Sequence, residues 1–143
     1  MKLKIAIAND HAGTEYKFDV IKHFADKFEF VNFGTDETES VDYPDFVHPL
    51  ANSVEKGETT FGILICGSGN GVCMTANKHQ DIRAALCWDP ELGALARQHN
   101  NANVICIPAR FIDFDTTLEV LEAFLNEDFE GGRHQRRVDK ISC

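Results

Sequence analysis

Short runs of aliphatic and β-branched residues alternate along the chain with longer segments whose apolar positions recur every three or four residues. The short runs predict five strands, at residues 3–8, 29–33, 61–66, 83–87 and 104–107. The longer segments predict helices near residues 18–28, 44–56, 70–78, 89–98 and 114–125. This alternation is typical of an α/β fold, a three-layer Rossmann-like α/β/α sandwich with a five-stranded parallel sheet.

Two amphipathic segments carry more specific expectations. In the first helix, Phe18, Ile21, Phe24 and Phe28 fall on one face, which is expected to pack against the sheet. After Gly131 and Gly132 a short helix is expected, anchored to a core by Val138 and Ile141. No repeat or low-complexity linker divides the sequence, so a single domain over residues 1–143 is expected, with a C-terminal arm at about 130–143.

Composition narrows the class of partner. Fourteen basic and twenty-three acidic residues give a net charge of −9, which disfavours nucleic acid as a partner. No apolar run is long enough for a membrane span, and the N-terminus lacks the pattern of a signal peptide. The five cysteines form no Cys-x-x-Cys pair, which favours free thiols and a cytoplasmic location.

In parallel α/β sheets, ligands bind outside the carboxyl ends of the strands. This rule selects Asn9 to His11, residues 35–43, the segment from Cys66 to Gly71, and Arg110. In the third of these, Gly67, Gly69 and Gly71 allow several backbone N–H groups to converge on an anion or a developing oxyanion. Val72 breaks the dinucleotide fingerprint, and a tight turn without a ligand is the alternative.

Cys66 stands at the start of this glycine loop. A thiol there can ionise and act as a nucleophile or a base, whereas the alternative is a small buried apolar residue. A phosphatase-type nucleophile is disfavoured, because the residue six positions later is Val72 rather than arginine. Cys73, Cys87 and Cys106 are expected to be core residues.

Other polar groups suggest a phosphorylated ligand. Asp10 and His11 could contact sugar hydroxyls and a phosphate, and Arg133 and Arg137, four positions apart on one helical face, could hold a phosphate dianion. A solvated basic tail is the alternative for the arginines. His99 lies in a polar patch after a helix, and no histidine spacing indicates a metal site.

Six segments in order resemble the type B ribose-5-phosphate isomerase family, which includes galactose-6-phosphate isomerase subunits and allose-6-phosphate isomerases. They are Asn9-Asp10-His11-Ala12-Gly13, Asp42-Tyr43-Pro44, Cys66-Gly67-Ser68-Gly69-Asn70-Gly71, Ala76-Asn77-Lys78, Arg97-Gln98-His99-Asn100 and Gly131-Gly132-Arg133-His134. The resemblance implies a homodimer or dimer of dimers with active sites shared between subunits, acting on a small phosphorylated sugar without metal or cofactor.

The resemblance also implies a role for each matching residue. The catalytic residues would be Cys66 as the base, His99 opening the sugar ring, Asp10 and Ser68. Substrate would be bound by His11, Tyr43, Gly67, Gly69, Asn70, Gly71, Asn100, Arg110, Arg133 and Arg137. A branch of the family lacks the cysteine and carries Glu where Val72 stands, so this chain resembles the cysteine-type branch.

Chain topology independently suggests shared sites. The helix before His99 runs antiparallel to the strands, so His99 is expected at the opposite edge of its own sheet from Cys66. It would reach a neighbour's site most easily, unless a long loop carries it around. The expected reaction is isomerisation of ribose 5-phosphate to ribulose 5-phosphate in the pentose phosphate pathway. The alternatives are a galactose- or allose-6-phosphate isomerase (or its subunit) and a non-catalytic, flavodoxin-like mononucleotide-binding module.

Overall fold

A computed structural model describes all residues, 1–143. Its single sheet is five-stranded and entirely parallel, in the order β2-β1-β3-β5-β4. The strands are β1 (Leu3–Asn9), β2 (Phe28–Asn32), β3 (Phe61–Cys66), β4 (Ala84–Leu86) and β5 (Val104–Pro108). The helices are α1 (Thr14–Phe24), α2 (Pro44–Glu55), α3 (Asn70–Ala76), α4 (Pro90–Gln98), α5 (Phe114–Asn126) and α6 (Arg133–Asp139), with a 3-10 turn at His11–Gly13. The predicted α/β sandwich is confirmed.

Helices cover both faces of the sheet, and each face has its own core. Successive strand residues point to opposite faces, so Ile63 and Ile65 pack under α1, α4 and α5, whereas Leu64 and Cys66 pack under α2 and α3. The residues on both faces of β3 are buried, which explains why its sequence is a continuous apolar run rather than an alternation of apolar and polar residues. None of the helices is long and apolar enough to cross a membrane.

The predicted buried face of α1 is right for Phe24 and for Ile21, which packs against the core, but wrong for Phe18 and Phe28. Lys17, Val20 and Phe24 are buried, whereas Phe18 is 45% exposed and Phe28 belongs to β2, where it pairs with Leu3. Lys17 can be buried because its ammonium donates to the carbonyl of Thr35 and the carboxylate of Asp36, both at 2.6 Å. The hydrogen bond from Lys17 is also the main cause that lowers the pKa of Asp36.

The end of α4 is fixed to the start of β5 by a buried arginine. The guanidinium of Arg97 donates to the carbonyl of Ala102 at 2.7 Å and to the side-chain oxygen of Asn101 at 3.0 Å. It also lies over the ring of Phe61, 4.8 Å from the centroid. The position of His99, the residue that follows α4, is therefore set by the core.

The sequence predicts that apolar side chains anchor the C-terminal arm, but the structure shows that hydrogen bonds attach it. No residue of α6 is buried, Val138 is only half-buried, and Ile141 is 55% exposed. The preceding segment instead bonds to the end of α4. The amide of Gln98 donates to the Glu127 carboxylate at 2.8 Å, and the Glu130 N–H donates to the Gln98 carbonyl at 3.0 Å. These bonds hold the arm beside His99.

Gly93 lets α4 and α5 approach closely. Replacement of this helical glycine by alanine is therefore expected to destabilise the protein, the reverse of the usual effect in a helix. A Cβ at Gly93 would lie 2.8 Å from the backbone oxygen of Val120. We expect Gly93→Ala to lower the free energy of unfolding by about 1–3 kcal/mol, although alanine is the better helix former. The matched control, Ala94→Gly, should cost only the intrinsic propensity of about 1 kcal/mol. Urea denaturation at one fixed protein concentration measures both, and stabilisation by Gly93→Ala would contradict the proposed contact.

Candidate active site

The loop between β3 and α3 requires glycine for steric reasons. Gly69 has φ 75°, and a Cβ there would lie 2.4 Å from the side chain of Leu86. After β5 the chain continues to pair with this loop, since the N–H groups of Ala109 and Arg110 donate to the carbonyls of Cys66 and Gly67. The backbone is therefore held tightly on both sides at the carboxyl end of the sheet.

Cys66 is the last residue of β3, and its sulfur faces the glycine loop. The Gly69 N–H donates to Sγ at 3.2 Å. Within one protomer the residue is 5% exposed and packs in the core under α2 and α3. The geometry thus combines a backbone donor on the sulfur with restricted access from solvent.

A cavity of about 640 Å³ opens beside this loop. Its lining consists of Asp10, His11, residues 41–45 and Arg110. Contacts link the cavity to the loop, since a Cβ at Gly71 would lie 2.5 Å from the Tyr43 ring and one at Gly67 would lie 3.0 Å from the Arg110 guanidinium. The structure therefore brings Asp10, His11, Tyr43 and Arg110 together around the loop that Cys66 begins.

His11 and Asp10 are oriented by backbone groups. His11 Nδ1 accepts the Val41 N–H at 3.3 Å, so in the neutral ring the proton lies on Nε2, which can act as a donor. One Asp10 oxygen accepts the Ala12 N–H at 2.8 Å and caps the 3-10 turn. A donor imidazole and a carboxylate acceptor thus share one cavity, a combination suited to an oxyanion and a hydroxyl.

The irregular segment between β2 and α2 is held in front of the cavity by buried side chains. The Asn9 amide donates to the Thr35 carbonyl at 3.1 Å, and the Thr14 hydroxyl donates to the Glu37 carbonyl at 2.7 Å. Together with the Lys17 ammonium on the Thr35 carbonyl, these bonds position the stretch that ends in Tyr43. A loop with few apolar anchors is thereby fixed through its backbone carbonyls.

Two predicted site residues at this end of the sheet line a different hollow. Ser68 and Asn70 line a smaller hollow of about 270 Å³, whose other walls include Trp88 and Phe111. The Ser68 hydroxyl accepts the Asn70 N–H at 3.2 Å, which orients the hydroxyl within the loop and leaves its O–H available to donate. Trp88 and Phe111 are 55% and 75% exposed, which leaves an apolar surface at the same end of the sheet.

His99, Arg133 and Arg137 lie at the opposite end of the sheet from Cys66. Cys66 pairs with Pro108, the last residue of β5, whereas His99 precedes Val104, the first. The four steps from Val104 to Pro108 span about 13 Å at the usual rise of a strand. Asn100 lines a hollow with Arg83 and Ile141, and Arg133 and Arg137 lie exposed on α6. Within one protomer these residues are not brought to Cys66, as the chain topology predicts.

At this second end His99 has two neighbours that the sequence reasoning did not select. Its ring stacks on His134, with centroids 4.2 Å apart and planes at 14°. The Glu130 carboxylate lies 3.7 Å from His99 Nε2 and 3.6 Å from His134 Nε2. Desolvation is the main cause that lowers the pKa of His134, followed by the charges of His99 and Arg133. The only feature of the sequence that pointed to His134 as a site residue was its position next to Arg133 in the Gly-Gly-Arg-His segment.

Asp42, which lines the cavity beside Tyr43, was likewise not selected. It belongs to the Asp42-Tyr43-Pro44 segment, from which only the tyrosine was chosen. Its carboxylate is one of three in the cavity lining, with those of Asp10 and Asp45, and α2 begins directly after Tyr43.

Comparison with known proteins places this geometry in context. The family model described as Ribose/Galactose Isomerase matches residues 5–141. A protein of Mycoplasma pneumoniae named probable ribose-5-phosphate isomerase B is 46% identical over 99% of this chain and 94% of its own length. The crystal structure of a ribose 5-phosphate isomerase from Thermotoga maritima superposes with a TM-score of 0.96, at 44% identity and 99% coverage of both chains.

A third relative was solved with a ligand. The structure of ribose-5-phosphate isomerase B from Mycoplasma genitalium with bound ribulose 5-phosphate has a TM-score of 0.94, at 44% identity, over 99% of this chain and 95% of its own. The match is continuous from β1 to the residues after α6, so it includes both ends of the sheet. The chain belongs to the ribose/galactose isomerase family.

Proposed function

We propose that this chain interconverts ribose 5-phosphate and ribulose 5-phosphate with Cys66 as the base. The observation that carries the proposal is a thiol that accepts the Gly69 N–H at 3.2 Å, next to a cavity lined by Asp10, His11 and Arg110. Relatives with 44–46% identity are named as ribose-5-phosphate isomerases, and one of them was solved with bound ribulose 5-phosphate, which supports this choice of substrate.

The active site lies between two protomers in this proposal. Cys66 with the cavity comes from one subunit, and His99 with Arg133 and Arg137 comes from the other. Two features support this arrangement. No residue of α6 is buried within its own protomer, and the apolar side chains of Trp88 and Phe111 are exposed at the Cys66 end. A second copy would cover both surfaces.

The substrate is bound through its phosphate before the reaction at the sugar carbons begins. Arg133 and Arg137 of one subunit and His11 of the other hold the dianion, and Arg110 assists from beside the glycine loop. His11 is prepared for this role because the Val41 N–H occupies Nδ1 and leaves Nε2 as the donor. Tyr43 and Asn100 contact the sugar hydroxyls. Anchoring the phosphate far from the reacting carbons orients them for proton transfer.

Chemistry then takes place in two stages. His99 donates a proton to the ring oxygen and, with Asp10, opens the furanose to the aldehyde. The Cys66 thiolate removes the proton from C2, and the amides from Gly67 to Gly71, with Ser68 and Asn70 in the loop, stabilise the charge that develops on O1. Transfer of a proton from O2 to O1, together with return of the C2 proton from the Cys66 thiol to C1, gives the ketose and regenerates the thiolate. Every step uses protein side chains and amides, so the proposed reaction needs no metal or cofactor.

An assay of the purified protein tests the proposed function. We expect ribose 5-phosphate to be isomerised with a higher kcat/KM than allose 6-phosphate or galactose 6-phosphate, and EDTA to leave the rate unchanged. A preference for either hexose phosphate would assign the alternative substrate class. A yellow, flavin-containing preparation without isomerase activity would favour the mononucleotide-binding alternative and contradict the proposal.

Replacement of the base should remove turnover but not binding. We expect Cys66→Ala to reduce kcat by about 10³-fold or more, in the upper range for loss of a general base. Affinity for ribitol 5-phosphate, which cannot be isomerised, should change little in a calorimetric titration. Cys143→Ala, which removes an exposed thiol at the C-terminus, is the matched control and should retain full activity. Normal turnover by Cys66→Ala would disprove the assignment.

Mixing two inactive variants tests whether sites are shared. When Cys66→Ala and His99→Ala proteins exchange subunits freely, half of the dimers are mixed, and each mixed dimer has one complete site. We therefore expect recovery of about a quarter of the wild-type activity per chain. Mixing Cys66→Ala with Asp10→Ala, whose residues share one subunit's half of the site, should recover none. Equal failure of both mixtures after demonstrated exchange would place His99 and Cys66 in the same subunit's site.

A further inference from the structure

Three metal-ligand side chains meet at the His99 end of the sheet. One ring nitrogen of His99, one ring nitrogen of His134 and a carboxylate oxygen of Glu130 all lie within 4.8 Å of one another. The carboxylate is 3.6–3.7 Å from each nitrogen, which is too far for a hydrogen bond. The three groups converge from two separate parts of the chain, the end of α4 and the turn into α6, and no local histidine motif announces them.

We propose that His99, Glu130 and His134 form a binding site for a zinc ion, and that zinc bound there inhibits the enzyme by occupying His99. The binding part stands on the geometry of the trio alone. The inhibition part rests on the proposed function, because it requires His99 to be the group that opens the sugar ring.

The spacing suits a small tetrahedral ion. Ligand atoms about 2.0–2.2 Å from zinc lie about 3.3–3.5 Å from one another, slightly closer than the two nitrogen–oxygen distances here. Two imidazoles and one carboxylate favour zinc over magnesium or calcium, which prefer all-oxygen shells. The fourth position remains open to water. Since the two rings are nearly parallel, one must rotate out of the stack to direct both nitrogens at one ion.

The surroundings set the strength of the site. Imidazole binds metal only when neutral, so protons compete with the metal for both rings and the affinity should fall as the pH is lowered. Arg133 and Arg137 on α6 repel a dication, and the ring rotation gives up the stacking. Glu130 is 52% exposed and His99 38%, so solvent screens both attraction and repulsion. We expect micromolar rather than nanomolar affinity.

Zinc titration of metal-free protein, followed by calorimetry, tests binding without any need for activity. We expect one ion per chain, with affinity reduced about tenfold or more in Glu130→Gln and in His134→Gln. Cobalt(II) provides a second readout, because a tetrahedral site gives an intense visible absorption that these variants should lose.

The matched control is His48→Gln. His48 and His79 form the other close histidine pair, 2.7 Å apart, with Glu55 bonded to His79. Zinc affinity should be unchanged in His48→Gln. Loss of binding there, with retention in His134→Gln, would place the metal at that second cluster and overturn the proposal.

Initial rates with added zinc test the inhibition. Wild-type rates should fall as the site fills and recover fully with EDTA, and Glu130→Gln should need about tenfold more zinc for the same fractional loss of its own rate. Zinc binding that leaves an active enzyme uninhibited would refute the inhibitory role. An inactive protein that still binds zinc through Glu130 and His134 would refute the proposed function and leave the metal site standing.

Discussion

A parallel sheet has two chemically different ends, and this polarity controls how the functional groups are distributed. All five strands run in one direction, so the loops that follow them, with Cys66, Asp10 and Arg110, gather at one edge. The turns that follow the returning helices gather at the other, where His99 meets Glu130 and His134. About 13 Å of β5 separates the two groups. A reaction that used both Cys66 and His99, as we propose, would therefore draw on two molecules.

Apolar burial stabilises the sheet of this molecule, whereas polar contacts position the loops around it. The sheet and its two cores are built from aliphatic residues and fix the strands relative to one another. The segments that carry ligand-binding groups are mostly polar and are held by hydrogen bonds from buried side chains. Lys17 and Asn9 hold the stretch before Tyr43, and Gln98 holds the stretch before Arg133. Loss of such a contact would move a site residue without unfolding the sheet.

The strand and helix positions were predictable because the central strands β1, β3 and β5 are buried on both faces and helices such as α2 and α5 have a regular apolar stripe. The position of His99 was predictable for a topological reason, since α4 must run antiparallel to the strands. The complete buried face of α1 was not, because Lys17 is buried only through partners 18 and 19 positions later. Neither was the contact of His134 with His99, which depends on how Gln98 and Glu130 position the arm. Interactions between distant segments leave no periodic signal in a sequence.

The residues at the His99 end impose opposite preferences on anions and cations. Arg133 and Arg137 attract a phosphate dianion and repel a metal dication, whereas Glu130 has the reverse effect on both. A phosphate bound to the arginines would cancel much of their repulsion, so zinc and the phosphate group need not exclude each other by charge. Their competition would arise instead at Nε2 of His99, which cannot both coordinate a metal and donate a proton to the sugar. On the proposed mechanism, this one nitrogen would determine whether the site turns over or is inhibited, and the surrounding charges would affect only how readily each partner binds.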